Sequence, residues 1–294
     1  MTSTWTECGR NSVQTWDCDQ MGHMNVQFYV QRAEDAVAQL AMHLGLGPAV
    51  AREANARLIP RQHHLRFHRE LRPGAPYWLR AAPVFLGPNQ IVITVEMLAS
   101  AGDTVACATT GLYEWTDISS RAVLDMPEKA RAKAQAMVQT MPLSALERGL
   151  SMNAPPREAA GRAEADRLGL IVAYRGEVAA EHCDPSGYLR VRDYMGRVSD
   201  AIPNLLLQTT GRDRSAETAN RIGGAALEYR FVYRKAARMG DLITVRSGVK
   251  SIGAKTYNWV HWVLNEETGE ALATAEAVAV AMDLEARKAI PIPD

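Results

Sequence analysis

The chain has 294 residues, enough for about two domains, and it balances 33 Lys+Arg against 33 Asp+Glu. That balance supplies no net field to recruit nucleic acid or an anionic membrane surface, and no unbroken apolar run is long enough for a helical membrane span. The opening MTSTWTECGRNSVQTW lacks the apolar stretch of a signal peptide, so a soluble, bacterial-type cytoplasmic location is expected. The four cysteines, Cys8, Cys18, Cys107 and Cys183, show no C-x-x-C spacing. They read as reduced thiols, with neither a zinc site nor a dithiol redox pair.

In chain order, residues up to Trp16 read as a short strand running into an Asp- and Gly-containing turn, Trp16 to Asn25. A helix follows from about Val26 to Leu44, because Val26, Tyr29, Val30, Ala33, Val37, Leu40 and Ala41 form an i, i+3, i+4, i+7 stripe. Gly45, Gly47 and Pro48 stop it. From Leu58 the character becomes extended, with strands expected at Leu65–Leu71, Pro76–Phe85, Gln90–Leu98 and Thr104–Trp115. Gly74, Gly87-Pro88-Asn89 and Ala101-Gly102-Asp103 supply the turns.

Residues from about Asp117 to Leu168 are rich in Ala, Arg and Glu and are broken by Ala154-Pro155-Pro156. They read as a helical, partly mobile linker, with a helix near Glu128–Val138 and a shorter one near Leu143–Leu150. The pattern then repeats. A strand is expected over Ile171–Ala180, a helix over Leu189–Leu207, and strands over Ala226–Tyr233, Leu242–Val249, Tyr257–Leu264 and Ala271–Met282. Pro203 falls inside the second helix, where it removes the bond to the carbonyl of Ser199 and predicts a kink.

The repetition is exact in spacing: an offset of 165 turns Cys18, Asp19, Gly22, Tyr29, Asp35 and Ala36 into Cys183, Asp184, Gly187, Tyr194, Asp200 and Ala201. This period is far beyond that of solenoid repeats, about 20–50 residues, so each copy is expected to be a domain. The boundaries expected are 1–118 and 168–294, joined by the linker 119–167. One long helix followed by successive hairpin strands is an α+β pattern, a helix packed on an antiparallel sheet.

The segment Asp17-Cys18-Asp19-x-x-Gly22-His23-x-Asn25-x-x-x-Tyr29, with Glu34-Asp35-Ala36 after it, resembles the hotdog-fold acyl-CoA thioesterases of the 4-hydroxybenzoyl-CoA thioesterase type. His182-Cys183-Asp184-Pro185-Ser186-Gly187 resembles the same family in an Asp-Pro-x-Gly version. The resemblance implies two tandem hotdog modules paired through their sheet edges as an internal pseudo-dimer, and it leaves room for a homodimer of such chains. It implies hydrolysis of a small-molecule acyl-CoA, with coenzyme A as the released moiety, no bound cofactor or metal, and no nucleic-acid or membrane partner. The rival readings are an acyl-ACP thioesterase and a non-catalytic acyl-CoA-binding protein; a hydratase of the same superfold fits less well, for want of its Asp/His signature.

In that family the catalytic carboxylate matches Asp19 and, in the second copy, Asp184. The chemistry agrees, since a thioester carbonyl needs a carboxylate that attacks it or activates water. Helix-start amides then hold the oxyanion, here expected among His23 to Val26 and among Tyr188 to Val191. Gly22 and Gly187 let a substrate approach the backbone. The plain alternative makes each Asp a turn residue or cap, and Asn25 the cap of the first helix. His23 becomes Tyr188, Asn25 becomes Arg190 and Asp17 becomes His182, so the two sites are expected to be unequal. Arg66, Arg69, Arg230 and Arg234 are candidates for coenzyme A phosphates, although a solvated strand face is the preferred reading of such alternating charges.

Overall fold

The computed structural model describes residues 5–211, 222–286 and 288–292. It divides into two compact units, Met1–Glu147 and Arg148–Asp294.

In the first unit, strand β1 (Thr6–Ser12) leads through a single 3-10 turn, Thr15–Asp17, to helix α1 (Val26–Leu44) and a short helix α2 (Pro48–Glu53). Strands β2 (Ala56–Phe67), β3 (Pro76–Leu86), β4 (Gln90–Ala99) and β5 (Thr104–Asp117) follow, and helix α3 (Glu128–Met137) completes the unit. The sheet is antiparallel throughout, in the order β1-β3-β4-β5-β2.

Asn25 caps α1, its side chain accepting the amide of Gln27 at 3.0 Å. Gly45 ends the helix in the left-handed region, φ 87°, a conformation that favours glycine. From Tyr29 onward the predicted stripe is the buried one, Val26 is half-buried, and Val30, Leu40 and Leu44 are wholly enclosed. Each such side chain contributes about 1.5–3 kcal/mol, so the helix is held by its packing on the sheet more than by its intrinsic propensity.

The strand expected at Leu65–Leu71 instead spans Ala56–Phe67. Pro60 disguises its first half, since a proline cannot donate to a ladder. The chain accommodates it at a bulge, where the pairing steps from Pro60↔Tyr113 to Gln62↔Leu112.

The second unit contains helix α4 (Arg162–Arg167), strand β6 (Ile171–Glu177), a 3-10 turn Ala180–His182 and helix α5 (Val191–Thr210). Strands β7 (Ile222–Tyr233), β8 (Leu242–Ile252), β9 (Thr256–Asn265), β10 (Ala271–Asp283) and the two-residue β11 (Lys288–Ala289) complete it. Its main sheet runs β7-β10-β9-β8-β6, the mirror listing of the first, and β11 pairs with the end of β10. Even the bulge is repeated, with Val278 opposite Glu228 and Ala279 opposite Ala226. Tyr29 meets Phe67 edge-on at 5.3 Å, and Tyr194 meets Tyr233 in the same way at 5.6 Å. The helical offset of 165 has become 166 in the strands. Helix α5 is continuous across Pro203 and ends at Gly211, φ 68°.

The connecting segment is divided between the units and pinned to both sheets. In the first, the Gln139 amide donates to Pro83 O at 2.8 Å, Arg66 donates to Leu146 O at 2.7 Å, and Ser144 bonds the buried Glu96. In the second, Glu228 accepts the amides of Arg148 and Gly149 at 3.0 and 2.8 Å. Helix α4, not foreseen in the sequence, places Ala165 in a cluster with Leu170, Trp262, Leu264 and Ala271. Leu143–Ala145 is a single 3-10 turn rather than a helix reaching Leu150. Among the described residues no helix is long and apolar enough to cross a membrane.

Candidate active site

Both copies of the motif build the same backbone frame. In the first, Cys18 bridges Met24, the Asp19 amide donates to His23 O at 3.1 Å, and the Gly22 amide donates to Asp19 O at 3.0 Å. The Met24 amide is fixed to Leu71 O and that of Asn25 to Asp17 O, both at 2.8 Å. In the second, Cys183 bridges Leu189, and the amides of Asp184, Gly187, Leu189 and Arg190 go to Tyr188, Asp184, Ala237 and His182 at 2.8–3.0 Å. Gly22 and Gly187 turn the loop at φ 73° and 79° with open space where a Cβ would lie, so it is backbone conformation that asks for glycine there. Cys18 and Cys183 each point Sγ at a carbonyl four residues back, Gln14 O at 3.4 Å and Ala179 O at 3.5 Å. Burial and neighbouring carboxylates raise the pKa of both thiols, which suits a turn-closing donor and not a nucleophile.

The side chains separate the two loops. Asp19 Oδ1 accepts the Met21 amide at 2.9 Å and lies 3.7 Å from His23 Nδ1. On its other side His23 Nε2 lies 3.7 Å from Glu70 Oε1, so the imidazole stands between two carboxylates at charge-attraction distance. Glu70 is a member of this site that sequence reasoning missed; it lies outside the motif, just beyond the end of β2, and only the hydrogen bond that ties Met24 to Leu71 brings it to the loop.

Of the four amides expected to hold an oxyanion in the first loop, those of Met24 and Asn25 are already used, while those of His23 and Val26 have no acceptor among the described residues. In the second loop Asp184 Oδ1 takes the amides of both Ser186 and Tyr188, at 2.9 and 3.1 Å. With Leu189 and Arg190 also engaged, Val191 is left. Tyr188, in the place of His23, is buried and lies under the Arg238 guanidinium at 4.8 Å, its hydroxyl accepting from Arg238 Nη2 at 2.8 Å. The second carboxylate thus caps its own loop.

Outside the loops, buried Asp17 accepts the Gln14 amide at 3.0 Å and lies 3.7 Å from Arg32. Its counterpart His182 is instead held by buried Asp193 at 2.8 Å. Arg190, in the capping position of Asn25, makes no side-chain cap on α5. The arginines weighed for phosphate binding have other work. Arg66, Arg230 and Arg234 donate to carbonyls of the connecting segment, at Leu143 and Leu146, at Ala154, and at Arg157 and Glu158. Arg69 reaches Thr104 Oγ1 at 3.3 Å. Among the described residues no three His, Cys, Asp or Glu side chains are grouped as metal ligands.

The sequence profile of the thioesterase-like superfamily matches residues 13–134 and 178–294, one match in each unit. No curated protein matches the chain in sequence. Among solved structures it is similar to a protein assigned as an oleoyl thioesterase from Lactobacillus plantarum, with 11% identity and TM-score 0.72, covering 95% of this chain and 97% of that one. It is also similar to the 12:0-ACP thioesterase of Umbellularia californica, with 10% identity, TM-score 0.70 and coverage of 95% and 94%. An acyl-ACP thioesterase from Bacteroides thetaiotaomicron matches at 9% identity and TM-score 0.67, over 94% and 98%. At such identities the likeness is one of fold.

Proposed function

The chain belongs to the thioesterase-like superfamily, and from that premise we propose that it hydrolyses an acyl thioester at the first loop, with Asp19 as the reacting carboxylate. The observation that carries this reading is the pairing of Asp19 with free helix-start amides in one loop, where the second loop has spent the equivalent amide on its own carboxylate.

Asp19 Oδ2 has no hydrogen-bond partner among the described residues, which leaves it able to attack the thioester carbon or to take a proton from the water that does. As the carbonyl becomes tetrahedral, its oxygen gains negative charge. The amides of His23 and Val26, at the positive end of α1, are fixed donors for that charge. Collapse breaks the C–S bond and releases the thiol, and water supplies the oxygen of the acid. His23, 3.7 Å from both Asp19 and Glu70, is assigned the part of orienting the carboxylate, and the leaving sulfur takes its proton from solvent. No metal or bound cofactor enters these steps.

The carrier is proposed to be coenzyme A. A second reading, an acyl carrier protein, is favoured by the full-length likeness to two proteins named for acyl-ACP. One acyl group offered on both carriers, with free thiol as the readout, separates the two.

The test of the chemistry is Asp19→Asn, which nearly preserves size and hydrogen bonding. Turnover is expected to fall by a factor on the order of a hundred or more, with binding of a non-hydrolysable acyl-CoA analogue little changed. If the unaltered protein binds acyl-CoA yet releases no thiol above the Asp19→Asn, Asp184→Asn double variant with any acyl group, the protein is a binder and not a hydrolase.

A further inference from the structure

Between α1 and the sheet of the first unit lies a polar cluster that the chemistry above does not use. Tyr113 donates to Glu34 Oε1 at 2.7 Å, His63 Nε2 lies 2.9 Å from the Tyr113 hydroxyl, and the same nitrogen is 3.2 Å from Glu34 Oε1. His63 and Tyr113 are shut off from solvent, while the Glu34 side chain keeps a quarter of its surface, 25%. The second carboxylate oxygen, Oε2, has no hydrogen-bond partner among the described residues.

The site is built rather than incidental. Gly111 pairs with His63 across the ladder, and a Cβ on it would come within 2.4 Å of the Tyr113 ring, so the glycine is what lets that ring lie over the backbone and meet the imidazole edge-on at 5.7 Å. In the second unit the four positions are Ser199, Tyr229, Ala277 and Ala279. The same helix-on-sheet layer therefore forms in the same chain without that carboxylate or glycine, and with a phenol standing where the first unit has its imidazole. Buried polar groups cost free energy that this fold does not need to spend, so the first unit retains them for something other than folding.

We infer that Glu34, supported by Tyr113 and His63, is a specificity subsite that accepts a hydrogen bond from a hydroxyl carried on the acyl chain of the substrate. The inference rests on the thioester reading of the first loop. Glu34 lies eight residues beyond Val26, the first residue of α1, and so about 12 Å along the helix from the amides assigned to the oxyanion. That is farther than a single hydroxyaryl ring spans from its carbonyl, and it selects a medium-length aliphatic chain with its hydroxyl near the far end. The acceptor is already held by the Tyr113 hydroxyl, which His63 backs in turn, so it needs no rearrangement to receive a further donor, and a plain alkyl end would leave it facing hydrocarbon.

The experiment compares octanoyl-CoA with its ω-hydroxy counterpart in the full chain, by turnover and by equilibrium binding of the matching ketone analogues, in which a methylene replaces sulfur. The unaltered protein is expected to favour the hydroxylated member about ten-fold or more in kcat/KM and in affinity. Glu34→Leu is expected to abolish the preference by bringing the hydroxylated substrate down to the level of octanoyl-CoA, and Glu34→Gln, which keeps one acceptor, to restore part of it. No preference in the unaltered protein, a preference that survives Glu34→Leu, or an equal loss on both substrates overturns the subsite. If Glu34→Leu does not fold, Tyr113→Phe and Glu34→Gln decide by the same ratio. If no thioester is cleaved, the ketone pair still reads the subsite, so its failure and that of the hydrolase reading are told apart.

Discussion

At the scale of single residues, His261 is the group whose burial has a consequence for the whole second unit. It is fully enclosed, with Nδ1 2.9 Å from Ser247 Oγ and Nε2 without a hydrogen-bond partner among the described residues, and burial pushes its pKa down to about 3. An unfolded imidazole titrates near 6.5, so between these values the unfolded chain binds a proton that the folded chain refuses. Its contribution to stability is intact above about pH 6.5 and is lost toward pH 3, by about 1.4 kcal/mol per pH unit within that window. Denaturant unfolding of the second unit, followed from pH 7 to pH 4, is expected to show this slope, and His261→Gln to flatten it. Parallel curves for the two proteins sink the assignment. Other residues were plainer in the sequence than in their meaning. Cys18 and Cys183 repeat faithfully, and a repeat alone does not distinguish a reacting thiol from one that closes a turn; only the Sγ-to-carbonyl geometry does. Glu70 was illegible for the opposite reason, since nothing near it in the chain resembles the loop it serves.

At the scale of elements, what could be read was whatever local periodicity controls. Helix α1 was legible to the residue, because its stripe, its Asn25 cap and its Gly45 stop are all encoded within the segment. Strands β3 to β5 were legible because Gly- and Pro-containing turns bracket them. The first half of β2 was not, since a bulge accommodates Pro60 and a bulge is set by the partner strand. Helix α4, of six residues, owes its place to the apolar cluster around Trp262, a contact nearly a hundred residues away in sequence. Helix α5 gives the prediction at this scale. Pro203 sits inside it without breaking it, yet the ring removes one backbone donor and crowds the preceding turn. Pro203→Ala is therefore expected to stabilise the second unit by about 1–3 kcal/mol, read as a rise in its thermal midpoint. An unchanged or lowered midpoint means that the loop of Asp184 and its helix are fitted to the proline, and that the helix has no strain to release.

At the scale of the whole molecule, one ancestral module is present twice and the copies have diverged in a consistent direction. The duplication and the common backbone of both loops were legible in the offset of 165, whereas the difference between the loops was visible in the sequence only as three unlike residues. In the structure these become a mechanism for inequality. Where the first loop has His23 between two carboxylates and an unspent amide, the second has Tyr188 pinned beneath Arg238 and its amide bound to Asp184. The polar cluster at Glu34 is likewise present once. Two carboxylates of equal chemistry are thus expected to answer differently to the same substitution. Asp19→Asn removes the oxygen proposed to react and should lower turnover by a factor on the order of a hundred or more, with the unfolding midpoint nearly unchanged. Asp184→Asn leaves an amide oxygen to accept one of the two loop amides and adds donors that the loop does not need; it should cost stability of the second unit, on the order of 1 kcal/mol, and leave most of the turnover intact. Kinetics and unfolding measured on the same preparations give both readings at once. Equal halving of the rate by the two substitutions means two equivalent, independent sites, and the closed geometry of the second loop then has to open when substrate binds.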